Sequence, residues 1–214
     1  MPRSYTQHCG IAVALDLVGE RWTLLLVREL VPGPRRWTDL LEGLPGIGTG
    51  LLASRLRELE SEGLVMRRTL PPPAASVVYE LTGEGRLLEP VLEGLARFGI
   101  RRLGAPAPGR AVRARWIAMA MRTLHDADAA SGPRRAYEFR LDGEVFHAVT
   151  GGGAVQVADG PAEEPHVVIE GDAAAFLAAV GGSAGDRLRV SGSAGDIARM
   201  RRVFAPAAGG MAPR

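Results

Sequence analysis

Residues 104–109 read Gly-Ala-Pro-Ala-Pro-Gly, and this interruption limits the possible folds more than any other feature of the chain. Proline stiffens such a stretch and glycine lets it bend, so it reads as a junction between periodic segments. It cuts the 214 residues into two stretches of roughly 100 residues, each the size of one small domain. The expected organisation is a first domain at 1–103, a linker at 104–110, a second domain at 111–205 and a flexible, Gly/Pro-rich tail at 206–214. No internal repeat relates the halves.

Apolar residues make up 46% of the chain, enough for a core in each half. Cys9 is the only cysteine, which excludes an internal disulfide framework and a multi-cysteine metal site. No apolar run approaches the roughly 18 residues that cross a bilayer, and the first residues lack a signal-like apolar region. A cytoplasmic protein without a membrane partner is expected. The net charge of +2 carries no message about nucleic acid. All 26 basic residues are arginine, so their positions must carry the argument.

The first half is mainly helical. Ile11, Ala14, Leu15 and Val18 recur at helical spacing, and Trp22, Leu25, Leu26 and Leu30 form a second stripe that stops at Pro32-Gly33-Pro34. A short third helix is expected from about Thr38, as N-cap, to Leu44. A fourth opens near Thr49 and turns Leu52, Leu56 and Leu59 inward. Two strands, Leu64 to Thr69 and Val77 to Leu81, flank Pro71-Pro72-Pro73, which suits only a loop tip. Thr82 then caps a long helix with Leu87, Leu88, Val91, Leu92, Leu95 and Phe98 inside. This order is that of a winged helix-turn-helix with a two-stranded wing.

The fourth helix has chemistry suited to a DNA groove. Its leucines leave Thr49, Gly50, Ala53, Ser54 and Arg57 outward, with Arg55 at the flank. Small residues allow close approach, hydroxyls bond phosphates or base edges, and arginine can chelate guanine. Gly48-Thr49-Gly50 leaves backbone N–H groups outward at a helix start, where an anion binds well. Arg35, Arg36, Arg67 and Arg68 are candidate phosphate contacts that set register. Acidic residues nearly balance the arginines of this half. Glu42, Glu58, Glu60 and Glu62 are expected at the far ends of the third and fourth helices, away from the arginine cluster.

The stretch from Cys9 to Leu103 resembles the HxlR family of bacterial regulators, distant relatives of the MarR type. The resemblance is carried by Ala14-Leu15-Asp16-Leu17-Val18-Gly19-Glu20-Arg21-Trp22-Thr23-Leu24-Leu25, Gly33-Pro34-Arg35-Arg36-Trp37-Thr38-Asp39-Leu40 and Leu44-Pro45-Gly46-Ile47-Gly48-Thr49. Arg55-Leu56-Arg57-Glu58-Leu59-Glu60 and Tyr79-Glu80-Leu81-Thr82 continue it. It implies a homodimer, built through the first and last helices of the domain, on double-stranded DNA bearing an inverted-repeat operator. Gly50 and Ala53 depart from the polar side chains usual in the family, which shifts base readout to Thr49, Ser54, Arg55 and Arg57. The resemblance also implies a possible redox role for Cys9, whose protein disulfide could form only with its mate.

In the second half, Val112, Trp116, Met119, Ala120 and Thr123 share a helical face, broadened by Ile117, Met121 and Leu124. Tyr137, Phe139 and Leu141 alternate with polar residues before the hairpin turn Asp142-Gly143. Val145 to Val149, Val155 to Ala158 and Val167 to Ile169 are further strands. Asp172 caps a helix containing Phe176, Leu177 and Val180. Leu188 and Val190 make a last strand, and Ser193 caps a final helix ending near Phe204. The order resembles the sterol carrier protein-type lipid-binding fold, best in Val167-Val168-Ile169-Glu170-Gly171-Asp172 through Phe176-Leu177, Leu188-Arg189-Val190-Ser191-Gly192-Ser193 and Ile197 to Phe204. That resemblance implies an apolar cavity, for which Trp116, Met119, Met121, Phe139, Phe146 and Phe176 are the candidate lining; the same stripe also fits plain core.

The expected fold class is α+β: a winged helix-turn-helix followed by an α+β domain with an antiparallel-rich, sterol carrier protein-like sheet. The scattered histidines His125, His147 and His166 match no hydrolytic or metal motif. An enzyme is not expected, and neither is a cofactor or metal. The chain reads as a DNA-binding transcriptional repressor whose second domain senses a small apolar ligand. The alternatives are a redox switch at Cys9 with an inert second domain, and a lipid-binding or interaction protein that does not act on DNA.

Overall fold

Leucines three and four apart set the first half. In this computed structural model, which describes residues 4–73, 75–100, 102, 111–180 and 187–204, the chain forms two units, Met1–Glu93 and Gly94–Arg214. The expected linker at 104–110 and tail at 206–214 lie outside the described residues.

The first unit runs α1 (Gly10–Val18), α2 (Thr23–Leu30), β1 (Arg35–Arg36), α3 (Trp37–Gly43), α4 (Thr49–Ser61), β2 (Val65–Thr69), β3 (Val77–Leu81) and α5 (Gly83–Arg86), and α6 (Glu89–Ile100) begins in it and ends in the second unit. Leu26, Leu30, Leu40, Leu52, Leu56 and Leu59 are almost wholly buried, so α2, α3 and α4 each turn a leucine face into the core of the unit. Gly43 makes their close approach possible. A Cβ there would stand 2.6 Å from Oε2 of Glu29, a buried carboxylate paired with Arg28 at 2.7 Å.

Four local expectations are corrected. The wing sheet has three strands, in the order β1-β3-β2, because Arg35 and Arg36 pair with Tyr79 and Val78. Helix α3 starts at Trp37 with Arg36 as cap: the Asp39 carboxylate accepts the Arg36 N–H at 3.0 Å and displaces Thr38 from that role. The long helix after Thr82 is broken. Thr82 caps only α5, accepting the Gly85 N–H at 3.0 Å, and α6 restarts at Glu89. Pro90 accounts for the break, since it has no N–H to give to the carbonyl of Arg86 one turn back, while it is tolerated in the first turn of a new helix. Finally, most of the stripe expected inside the helix after Thr82 faces outward, as does much of the stripe on α1, for which no burial is expected. Ile11, Leu15, Leu87, Val91, Leu95 and Phe98 are exposed, while Ala12, Val18 and Leu92 are buried.

The second unit contains α7 (Ala114–Thr123), α8 (Ala127–Ala130), β4 (Arg135–Leu141), β5 (Glu144–Gly151), β6 (Ala154–Asp159), β7 (Val167–Gly171), α9 (Ala173–Val180), β8 (Arg189–Gly192) and α10 (Ala194–Phe204). The sheet order is β6-β5-β4-β7-β8, antiparallel except where β7 lies parallel to β4. Asp142 and Gly143 both have positive φ, 52° and 80°, the backbone that a two-residue turn matched to strand twist requires. Asp172 and Ser193 cap α9 and α10 as expected, accepting N–H groups at 2.6 and 3.1 Å. The short α8, capped by Asp126, is too brief to leave a period in the sequence.

Period-two alternation puts Tyr137, Phe139 and Leu141 of β4 on the face that carries all four helices. Phe139 stacks on Phe146 at 4.9 Å and meets Phe176 edge-on at 5.6 Å. The α7 face is turned from the expected one. Ala114, Ile117, Ala118, Met121 and Thr123 are buried, and Trp116 and Met119 are only half-buried.

Candidate nucleic-acid interface

Helix α4 follows a turn that leaves its first residues in the open. Gly48, Thr49 and Gly50 are all exposed, and Gly48 holds extended backbone at the cap. The first turn of a helix carries N–H groups without partners inside the helix, so this end offers donors and a partial positive charge. Added Cβ atoms at Gly48 or Gly50 would meet nothing within 4 Å. Packing inside this unit therefore does not call for glycine at either place.

Around the helix, burial of Leu52, Leu56 and Leu59 fixes the outward side at Gly50, Ser54, Arg57 and Ser61 by the 3.6-residue repeat. Thr49 and Arg57 are exposed, and among the described residues Arg57 has no ion pair. Ser54 donates its hydroxyl to Oε1 of Glu58 at 2.8 Å. Arg55 is engaged with carboxylates: Nη1 bonds Glu58 and Nη2 lies 3.4 Å from Glu20. The expected segregation of acids from arginines thus fails at Glu58, which sits among Ser54 and Arg55.

The three-stranded sheet aligns the remaining arginines. Arg35, Tyr79 and Arg67 form one cross-strand row, and Arg36, Val78 and Arg68 form the next. Arg36, Arg67 and Arg68 are exposed and Arg35 is half-buried. Arg68 bonds Glu80 at 2.6 Å, and that carboxylate raises its pKa by hydrogen bonding and charge. Sequence reasoning could place Arg35 and Arg36 before α3 but could not see that they join the wing.

Cys9 is the exposed N-cap residue of α1. The backbone N–H groups of Ala12 and Ile11 hold its thiol below the ordinary value, against a weaker opposing effect of burial. This is the usual effect of a helix start on a thiolate.

The expected apolar pocket is not where the sequence placed it. Met121, Phe139, Phe146 and Phe176 are buried in one core cluster, where Phe139 meets both Phe146 and Phe176, and Trp116 and Met119 lie outside that core. The apolar hollow in this unit measures about 250 Å³ and lies at the edge of the α9–α10 layer, lined by Ile169, Phe176, Val180, Leu188, Met200 and Phe204. Only Phe176 belongs to both sets. A more polar hollow of about 530 Å³ opens on the other face of the sheet beside His147, His166, Glu163 and Glu164. His147 Nδ1 lies 3.0 Å from the Gly160 carbonyl, and His166 Nδ1 accepts the Ala136 N–H at 3.3 Å. Among the described residues no three His, Cys, Asp or Glu side chains gather as metal ligands.

Residues 17–105 match the HxlR-like helix-turn-helix family. Over 91 residues the chain is 41% identical to the HTH-type transcriptional regulator sll1512 of Synechocystis sp. PCC 6803, covering 42% of this chain and 67% of that protein. Over 80 residues it is 39% identical to the HTH-type transcriptional regulator YodB of Bacillus subtilis, covering 37% and 71%. The chain belongs to the HxlR-like helix-turn-helix family. It is a transcriptional regulator of that type. Among solved structures, reduced YodB from B. subtilis aligns with a TM-score of 0.40 at 32% identity, over 49% of this chain and 100% of that one. The HxlR-like match ends at residue 105. No described helix is long and apolar enough to cross a membrane.

Proposed function

We propose that this HxlR-like chain is a homodimeric, sequence-specific repressor that lays α4 in the major groove of an inverted-repeat operator. The carrying observation is the outward side of α4, where Gly48, Thr49, Gly50 and Arg57 are exposed and two glycines have no internal purpose. Thr49, Ser54 and Arg57 read bases, with Arg55 adding to them only if it leaves Glu20 and Glu58. Arg35, Arg36, Arg67 and Arg68 hold phosphates and set register. The dimer is supported by the outward apolar faces of α1 and α6, since large contiguous apolar surface marks an interaction site. Two recognition helices on a two-fold axis then lie about 34 Å apart, one turn of duplex. Sequencing the DNA that the purified protein retains tests the reading. Enrichment of one palindromic motif, lost in Arg57→Ala, is the expected result; uniform genomic fragments would refute it.

The second unit is a sterol carrier protein-like, ligand-sensing domain in this reading. Its one-sided helical layer over a five-stranded sheet supports the comparison, and the hollow beside Phe176 and Phe204 is a place for a small apolar molecule. A coupling of about 1–3 kcal/mol between such a ligand and the operator changes affinity several- to over a hundredfold. Calorimetry against fatty acids, isoprenoids and aromatic metabolites tests it.

Cys9 supports a second reading, a redox switch, because its thiol is exposed and biased toward thiolate. Two Cys9 thiols from paired protomers would give two protons and two electrons to diamide and form one disulfide. Non-reducing electrophoresis of wild type against Cys9→Ser, with operator binding measured alongside, separates this from ligand sensing.

A further inference from the structure

At one end of the second unit's core, three polar groups converge without a well-aligned hydrogen bond. Tyr137 and Thr150 are fully buried, yet neither the phenol oxygen nor the Thr150 hydroxyl has a hydrogen bond among the described residues, and the same is true of Nη2 of Arg199. Such groups are costly to leave unpaired.

The topology brings them to one place. Arg135 of β4 lies opposite Thr150 of β5, and Tyr137 lies two residues on, on the same face. Arg135 Nε bonds Asp196 at 2.7 Å, which pins the first turn of α10 over that end of the sheet. One turn later, α10 presents Arg199. Burial raises the pKa of the Tyr137 phenol, the Thr150 hydroxyl beside it opposes that rise as a poorly aligned hydrogen-bond neighbour, and the charges of Arg199, Asp196 and Arg135 act on it more weakly.

Two features leave the Arg199 charge available. Asp196, its neighbour three residues back, is already occupied: Oδ1 takes Arg135 and Oδ2 takes the Ser193 hydroxyl at 2.7 Å. Arg199 itself has no ion pair among the described residues. Gly132 makes room for the guanidinium. A Cβ at Gly132 would lie 2.9–3.0 Å from Nη2, Cζ and Nη1 alike, so the plane rests face-on against the backbone there. The φ of Gly132 is not positive, hence close approach is what that glycine permits.

We infer that Arg199, Tyr137 and Thr150 form a binding site for the carboxylate of a small organic acid. Two hydroxyls and a planar guanidinium fork fit the geometry of an oxygen pair. One uncompensated positive charge matches a monoanion, whereas a dianion would leave net negative charge in a buried place. The rings of Tyr137 and Phe204, edge-on at 5.9 Å, give the acid an apolar wall. Phe204 also lines the apolar hollow. The inference rests on the ligand-sensing reading of this unit and names the head group that it recognises.

Calorimetry on the full chain with benzoate, hexanoate, inorganic phosphate and neutral hexanol tests it. The carboxylates should bind and phosphate should not. Arg199→Gln should weaken benzoate about ten- to hundredfold, and Tyr137→Phe and Thr150→Val each roughly two- to tenfold. Without ligand, Tyr137→Phe and Thr150→Val should melt no lower than wild type, because each removes a buried hydroxyl that has no well-aligned hydrogen bond. Overturning results are no carboxylate binding at millimolar concentration, phosphate binding in preference to benzoate, or equal carboxylate affinity in all three variants. A lower melting temperature in Tyr137→Phe and Thr150→Val with unchanged carboxylate affinity also overturns it, by pointing to a bridging water. Hexanol binding that ignores Arg199→Gln, without any carboxylate binding, would sink this site while leaving the ligand-sensing reading intact.

Discussion

Ile11→Ala separates folding from association. Ile11 lies on α1 with 73% of its surface exposed. Fully burying an isoleucine side chain is worth about 1.5–3 kcal/mol, so the exposed portion can contribute roughly 1–2 kcal/mol to an interface. A two-fold interface uses each residue twice, which gives about 2–4 kcal/mol per dimer. At about 1.4 kcal/mol per decade, the dimer should dissociate roughly 30- to 1000-fold more readily. The retained Cβ places the expectation toward the lower end. Folding of the monomer should not suffer, because the side chain has little to lose there and alanine favours helix by a few tenths of a kcal/mol. Sedimentation equilibrium over a dilution series gives the dissociation constant, and urea unfolding at a concentration where both proteins are monomeric gives the stability. A dissociation constant within about threefold of wild type would refute the claim that α1 is an association face. A large loss of monomer stability would mean that Ile11 is covered within its own chain.

Gly50→Ala should raise folding stability by about 0.5 kcal/mol, since the new Cβ meets nothing within 4 Å, while weakening operator binding; gel-shift titration beside thermal melting reads both. Arg67→Ala should weaken all DNA sequences alike and reduce the salt slope by about one, whereas Arg57→Ala should lose about 1–3 kcal/mol on the preferred site and relax its sequence preference; a salt series on specific and random duplexes distinguishes them. The Asp196 carboxyl is held below its usual range first by the Ser193 hydroxyl and then by Arg135. Its contribution to stability is therefore complete above the unfolded value and drains away as pH falls through the folded one. Urea midpoints of Arg135→Gln should accordingly lie below wild type at neutral pH and converge with it in acid.

Period and punctuation carried most of the fold into view. The strands of the second unit alternate apolar and polar residues between recognisable turns, so Asp142-Gly143 and the caps Asp172 and Ser193 could be placed from chemistry that acts within a few residues. The errors have another origin. Helical spacing identifies an apolar stripe but does not say what covers it: Leu87, Val91 and Phe98 keep the period of a core face and are nevertheless exposed. Pro90 is the sequence signal for the break between α5 and α6. The third wing strand is invisible for a different reason: two residues, Arg35 and Arg36, leave no alternation to detect, and their pairing with Tyr79 and Val78 spans more than forty positions.

The same distinction governs the candidate site. Arg55 and Arg57 are equivalent in sequence, one residue to either side of a buried leucine, and both sit on the helix expected to meet DNA. Glu20, distant in the chain, lies 3.4 Å from Arg55, and Glu58 holds its other nitrogen. Exposed ion pairs of this kind are worth at most about 1 kcal/mol, less than a bidentate guanine contact at about 1–3 kcal/mol. The carboxylates therefore do not forbid Arg55 from reaching a base, but they subtract from what it gains by doing so. Arg57 gives up no such partner among the described residues. The helix thus ranks its two arginines through long-range contacts, and Arg57 should dominate the base readout.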